Sequence, residues 1–445
     1  MGRIIANFLL ILLAIMVENN EVMGQSPEWS KDANIYEVNI RQYTPEGTIN
    51  AFSKHLDRLS EMGVKILWLM PIHPIGEKNR KGILGSPYSI RNFKAVNPDM
   101  GTIEDFKSLV VQAHNRGMYV IMDWVTNHSA WDCNLITEQP DWYSKDDKGN
   151  IISPNNEWTD VADFNYKNKD LRAYMIGAMN YWVKECNIDG FRCDVAEMVP
   201  DDFWKEAIQA VNNEKANLFW LAEAETPRLH KLGFNASYGW NVHHTLHDIV
   251  TGKKSVSDLE QVLMDNVNNY DPTAYRMLFT SNHDENSWNG TEYEKFSEAA
   301  LSLAVLSAVL PDMLLIYSGQ EAMNDRRLSF FDRDVIQWGN IPLNPFYGFL
   351  NELKKNNPVL WNGAYGGDFK ILKNDQSSKT LSFVRTKGDD QMIAVFNLSN
   401  QPRVINVSGD FKGEFVNVFS NENHSLDKAY KLTLKEWEYV LLQKK

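Results

Sequence analysis

The stretch Gly190-Phe191-Arg192-Cys193-Asp194-Val195-Ala196-Glu197 sets a guanidinium and a carboxylate two residues apart, ahead of a helical stretch from Asp201 to Asn213. On a strand, alternation puts Arg192 and Asp194 on one face and Cys193 on the other. A guanidinium beside a carboxylate keeps it ionised and holds its rotamer. An ionised, positioned carboxylate can attack the anomeric carbon of a sugar. In isolation the same pair could be a structural ion pair. Two more carboxylates, Glu223 and Asp284, also follow apolar runs. Sugar-cleaving chemistry needs one ionised carboxylate as nucleophile and one protonated carboxyl group. The second donates to the leaving oxygen and then acts as base toward water. Asp194 and Glu223 suit these parts, with Asp284 helping to keep Glu223 protonated and binding sugar hydroxyls. Glu225, on the same strand face as Glu223, is a rival for the acid role. Tyr88, Asp123, Asn127-His128 and His283 occupy similar places after apolar runs.

Bringing these residues together requires a scaffold that gathers strand ends. The chain supplies a regular beat. Ile35 to Ile40, Val64 to Met70, Tyr119 to Trp124, Phe191 to Val195, Leu218 to Ala222, Met277 to Ser281 and Met313 to Tyr317 read as buried strands. Helical periodicity fills the intervals at Thr48 to Met62, Thr102 to Arg116, Asp170 to Cys186, Asp201 to Asn213 and Tyr293 to Val309. A sixth unit near Tyr238 to Ile249 has the faintest pattern. The count is eight strand–helix units, the number that closes a (β/α)8 TIM barrel, whose site lies at the carboxyl ends of its strands. Carboxylates clustered there without a cation or a task would repel one another and cost stability.

Domain organisation follows from where the beat changes. Residues 25–365 are expected to form the barrel, interrupted at about 129–169 by an insertion rich in Asp, Asn, Trp and Pro. Residues 366–445 read as short alternating strands with polar turns, a C-terminal antiparallel β-sandwich. With 445 residues, 43% hydrophobic and 23% charged, the chain has the composition of a globular protein larger than one core supports. A formal net charge of −13 argues against a nucleic-acid partner. At the N-terminus, Arg3 precedes an apolar run from Ile4 to Val17, too short to span a bilayer, and Gly24 offers a cleavage point. Residues 1–24 therefore read as a signal peptide, giving a secreted or periplasmic protein with no membrane insertion after its removal. Cys133, Cys186 and Cys193 give no disulfide framework and no zinc spacing.

Four segments now carry a resemblance: Asp123-Trp124-Val125-Thr126-Asn127-His128, Gly190-Phe191-Arg192-Cys193-Asp194, Phe219-Trp220-Leu221-Ala222-Glu223 and Phe279-Thr280-Ser281-Asn282-His283-Asp284. In order and spacing they resemble the signature regions of the α-amylase family of glycoside hydrolases (family 13). Ser86-Pro87-Tyr88-Ser89 resembles the family's sugar-stacking loop, and Val161-Ala162-Asp163-Phe164-Asn165 its fifth region, at the end of domain B. The resemblance implies Asp194 as nucleophile, Glu223 as acid/base and Asp284 as transition-state stabiliser. It implies Arg192 as the residue orienting the nucleophile, with Asp123 behind it, His128 and His283 on sugar hydroxyls, and Tyr88 as platform. The lead-in Trp220-Leu221-Ala222 favours Glu223 over Glu225. Glu197 and Met198 stand where many relatives carry Lys-His, so the usual calcium site is altered. Asn127 and Asp163 still match positions that ligate Ca²⁺, and no organic cofactor is implied.

The expected activity is retaining hydrolysis of α-1,4-glucosidic bonds in starch-like glucans or malto-oligosaccharides. Neopullulanase-like or maltogenic action, α-glucosidase action and transglycosylation are sibling readings. A non-catalytic barrel used for binding is a third, and members of that kind lose carboxylates that this chain keeps.

Overall fold

The computed structural model describes residues 26–445. The apolar run from Ile4 to Val17 and the expected cleavage point at Gly24 lie outside the described residues.

Eight parallel strands close into a barrel: β1 (Ile35–Val38), β2 (Ile66–Leu69), β3 (Tyr119–Val125), β4 (Gly190–Asp194), β5 (Phe219–Ala222), β6 (Ala236–Tyr238), β7 (Tyr275–Leu278) and β8 (Met313–Tyr317). Each pairs with its neighbours in sequence, and β8 closes on β1. The strands read as unbroken apolar runs because both faces are covered. Ile35, Ile66, Trp68, Ile121, Leu221 and Met277 fill the interior. The alternate residues Tyr36, Leu67, Leu69, Val120 and Met122 belong to the larger core that includes the surrounding helices.

Toward the carboxyl ends the inward positions turn polar, with Glu37, Asp123, Arg192 and Asp194 all buried. Asp123 and Arg192 are register partners on β3 and β4. Gly190 lets β4 start against β5: a Cβ there would lie 1.9 Å from the Phe219 carbonyl oxygen, a clash no side chain survives.

The sixth unit has a strand of only three residues, Ala236–Tyr238, followed by the helices Trp240–Val250 and Val256–Asn269. So short a strand, with Ser237 at its centre, leaves little periodic signal. Two expected helices are broken. The first is split into Ile49–Ser53 and Leu56–Glu61. The one expected over Tyr293 to Val309 stops at Phe296, because Ser297 adopts a left-handed φ of 48°, and resumes at Ala300.

Domain B leaves the barrel after β3. Its short antiparallel pair, His128–Ala130 with Val161–Asp163, sets His128 opposite Asp163.

The C-terminal strands are β9 (Asp368–Ile371), β10 (Lys373–Asn374), β11 (Thr380–Lys387), β12 (Asp390–Asn397), β13 (Arg403–Asn417), β14 (Asn423–Leu434) and β15 (Tyr439–Lys444). They are hydrogen bonded into one antiparallel sheet in the order β9-β11-β12-β15-β13-β10, with β14 on β13. Two layers arise within it. Phe383, Ala394, Phe396 and Leu441 join the main core, while the alternating Val384, Ile393, Val395 and Leu442 meet Ile405, Phe415 and Leu432 in a second core. A register shift between Ser408 and Lys412 allows the long β13 to bend. β14 has a polar outer face and turns Leu426, Leu432 and Leu434 to the second core. Among the described residues no helix is long and apolar enough to cross a membrane.

Candidate active site

A cavity of about 560 Å³ opens at the carboxyl ends of the barrel strands, and Tyr88, His128, Asp194, Glu223, His283 and Asp284 all line it. Asp123 and Arg192 lie beneath, fully buried. The side chains of Glu223 and Asp284 keep 17% and 32% exposure, enough for a substrate to reach them.

Arg192 is the hub. Its Nη1 donates to Asp194 Oδ1 (2.8 Å) and Asp123 Oδ1 (2.9 Å), and its Nε to the Tyr238 hydroxyl (3.2 Å). Nη2 lies 3.0 Å from Glu223 Oε1, yet without hydrogen-bond alignment. The guanidinium thus holds Asp194 by a directed bond and only touches Glu223. Asp123 is fixed on its other oxygen by Trp68 Nε1 (3.1 Å) and the Tyr88 hydroxyl (3.0 Å).

Burial raises the Asp194 carboxyl to about 6, against the opposing pull of Arg192. Desolvation is the larger effect, and the pull of Arg192 toward the ionised form, expected from their adjacency, acts against it. Burial also raises Glu223, to about 7, with Arg192 opposing and Asp194 and then Asp284 adding to the rise. Asp194 therefore weighs more on Glu223 than Asp284 does. Asp194 and Glu223 continue the β4–β5 ladder, Glu223 N donating to the Cys193 carbonyl at 3.0 Å. The Val195 N–H also donates to Glu223 Oε2 (2.6 Å). Val195 adopts a left-handed φ of 38°, uncommon for a β-branched residue and characteristic of strain held at a working site.

His283 sits among acceptors. Nδ1 bonds Glu37, and Nε2 lies 2.9 Å from the Tyr88 hydroxyl and 3.3 Å from Asp284 Oδ2. Burial lowers its pKa, but Asp284 and Glu37 outweigh burial and bring it to about 9. Below that pH it is an imidazolium, donating from both nitrogens. His128 is the opposite case: burial lowers it to about 4, leaving a neutral ring.

Glu225 is settled elsewhere. Its Oε1 accepts from Arg276 Nη2 (2.9 Å) and the Asn241 N–H (2.7 Å), and it does not line the cavity. Asn127 and Asp163 stand off the cavity too. Phe164 N donates to the Asn127 carbonyl (3.1 Å), which ties the start of domain B to its end. The half-buried Asp163 carboxyl is raised by burial. No cluster of three or more His, Cys, Asp or Glu side chains suited to a metal occurs among the described residues. Glu197 and Met198 are exposed beside the β4 end.

Sequence reasoning missed Glu37, Trp68 and Tyr238, which support this charge network from β1, β2 and β6. A charged residue within the otherwise apolar Ile35-Tyr36-Glu37-Val38 was the available signal. It also missed the aromatic rim of Trp158, Phe330 and Phe331, supplied by loops without periodicity, and of Trp288, from the single helical turn Glu285–Asn289.

The family described as "Alpha amylase, catalytic domain" matches residues 22–391, and "Maltogenic Amylase, C-terminal domain" matches residues 369–441. Alpha-amylase MalA of Haloarcula japonica is 27% identical over 419 residues, 87% of this chain, and the chain spans 60% of that relative's length. A "noncanonic maltogenic alpha-amylase AmyB" from Thermotoga neapolitana superposes with a TM-score of 0.85 at 30% identity, covering 94% of this chain and 99% of that one. An α-amylase from Lactobacillus plantarum superposes with a TM-score of 0.84 at 29% identity, covering 94% and 100%.

Proposed function

The chain belongs to the α-amylase family of glycoside hydrolases, and from that premise we propose that it cleaves α-1,4-glucosidic bonds in malto-oligosaccharides and starch-like glucans with retention of configuration. The observation that carries this reading is the unequal hold of Arg192 on two carboxylates. Asp194, hydrogen bonded and ionised at neutral pH, attacks the anomeric carbon. Glu223, higher in pKa and in looser contact, gives its proton to the departing oxygen. Asp194 then carries the glycosyl group, and Glu223, now a base, takes a proton from the water that releases it. Both carboxylates reach one guanidinium from adjacent strand ends, which supports the short separation that a retaining enzyme needs, roughly 5–5.5 Å, over the wider gap that admits water in an inverting one.

Asp284, Tyr88, His128 and His283 surround the attacked ring. Asp284 is an acceptor for its hydroxyls and a negative charge beside the oxocarbenium-like transition state. Protonated His283 sets its positive charge beside the ring hydroxyls, where its Nε2–H can be shared with them, and the Tyr88 ring gives an apolar face. Asn127 and Asp163 would give a Ca²⁺ ion two side-chain oxygens between the barrel and domain B. The rest of its six to eight ligands would be main-chain carbonyls and water.

The test is kinetic and stereochemical. Asp194→Asn should form no glycosyl-enzyme on any substrate. Glu223→Gln should lose about 10²–10⁴-fold on a glucan, yet still form the covalent intermediate from a glycosyl fluoride, whose leaving group needs little protonation. Sugars should first appear as the α-anomer. First release of the β-anomer, or near-wild-type turnover by Asp194→Asn, would reject the assignment.

A further inference from the structure

The barrel strands run in order round the axis, so the ends of β4 and β5 stand opposite those of β8 and β1. Glu223 follows β5, so the departing part of a substrate leaves on that side. The rest of the chain beyond the attacked ring runs the other way, toward the loops after β8, β1 and β2.

Those loops are sewn together. After β2, Ile83 N donates to Asp332 Oδ1 (2.7 Å) and Leu84 N to the Phe331 carbonyl (3.1 Å), both in the loop after β8. Buried Arg41, from the β1 side, donates to the Gly85 carbonyl (2.9 Å) and the Phe330 carbonyl (2.6 Å), fastening the same two loops. Lys81 carries the seam to domain B: its Nζ donates to the Glu157 carbonyl (2.6 Å) and lies 3.3 Å from Asp160 Oδ1. Gly82 packs so tightly on the opposite loop that a Cβ would sit 2.5 Å from Phe331 Cβ. Lys81, Glu157, Asp160, Phe330 and Phe331 all line the cavity, so the seam forms part of its wall. Against the wall, the Trp288 and Phe330 rings, 5.1 Å apart, offer faces on which a terminal sugar can stack.

We propose that this seam closes the glycone end of the cleft, so that the enzyme engages a glucan by its free non-reducing end and releases short units from it. An open cleft would let a chain pass through and be cut internally. The inference rests on the retaining hydrolysis proposed above.

The experiment compares two malto-oligosaccharides carrying the same fluorescent label at the reducing end. One has a free non-reducing end and the other a 4,6-O-ethylidene cap there, and products are resolved by size. The free form should be cleaved with a kcat/KM about 10²-fold higher or more than the capped form, the discrimination expected when a fitted pocket must reject added bulk. In Lys81→Ala/Asp332→Ala, which removes side chains of the seam, the ratio should narrow about tenfold. Equal rates on the two forms with the wild type would overturn the closed end. An unchanged ratio in the double variant would overturn the seam as its cause. Failure of the wild type to turn over even α-maltosyl fluoride is a separate result, and would reject the hydrolytic reading itself.

Discussion

At the scale of single residues, burial and one guanidinium set two carboxyl groups apart. Asp194 near 6 and Glu223 near 7 must be ionised and protonated respectively for the first step. The kcat/KM profile should therefore be a narrow bell, falling below about pH 6 as Asp194 takes a proton and above about pH 7 as Glu223 loses its own. With a fluoride substrate, Glu223→Gln should keep the acid limb of glycosylation and lose the alkaline one. Stability carries the same sign. A carboxyl raised in the folded state stabilises below its unfolded pKa, and that contribution is lost as pH rises through the folded value. Glu223→Gln should then gain on the order of 1 kcal/mol over wild type at pH 8, an amount reduced by the water in the cavity, and nothing at pH 4. Glu37 is the second residue-scale case. Its carboxylate helps hold His283 as an imidazolium, so Glu37→Gln should lower that pKa and unseat the ring. The expected loss in kcat/KM is up to about 10²-fold, as for a misplaced contact to the reacting sugar, and it should deepen with rising pH. A flat, pH-independent loss would mean that Glu37 only packs.

The elements that set these residues are strand ends and one insertion. β3 leads directly into domain B, whose pair His128–Ala130 and Val161–Asp163 brings Val161 to the same cavity that His128 lines. The tie between Asn127 and Phe164 is the hinge of that insertion, and Asp163 beside it is a carboxyl raised by burial with no cationic side chain among the causes acting on it. A cation there would relieve it. Chelation with EDTA should then lower the thermal midpoint, because a ligand bound only to the folded state stabilises it by mass action, and added Ca²⁺ should restore it. An unchanged midpoint with full activity in chelator would remove calcium from the account.

At the scale of the whole molecule, the C-terminal sheet is part of the barrel's packing. Phe383, Phe396 and Leu441 lie in the main core, and fully buried Arg385 donates to the Leu310 carbonyl (3.2 Å) and the Trp361 carbonyl (2.8 Å). Val256 N also bonds the Ser378 carbonyl (3.1 Å), across to the sixth unit of the barrel. The full chain should therefore unfold in one calorimetric transition. A chain ending at residue 365 should lose solubility, because it exposes a contiguous apolar face. A truncated chain that stays monomeric with an unchanged midpoint would show that the two parts fold independently.

The alternation of buried strands and helices is legible in the chain alone, since a parallel barrel covered on both faces must be written as short apolar runs. The chemical types are legible there too: Arg192 and Asp194, two residues apart, can share only one strand face, and Glu223 and Asp284 follow strands of the same barrel. The lead-in Trp220-Leu221-Ala222 already favours Glu223 over Glu225, which share one local parity; the fold adds the physical reason, the Arg276 that occupies Glu225. The place of Glu37 needed the fold, because its partner His283 lies 246 residues away. How far the Asp194 carboxyl is raised turned on burial, which adjacency to Arg192 cannot report. The closed end of the cleft lies in loops joined by main-chain carbonyls and single side chains, and such contacts leave no period in the sequence. Local pattern records which face a residue takes, whereas distance, desolvation and long-range partners exist only once the chain has closed on itself.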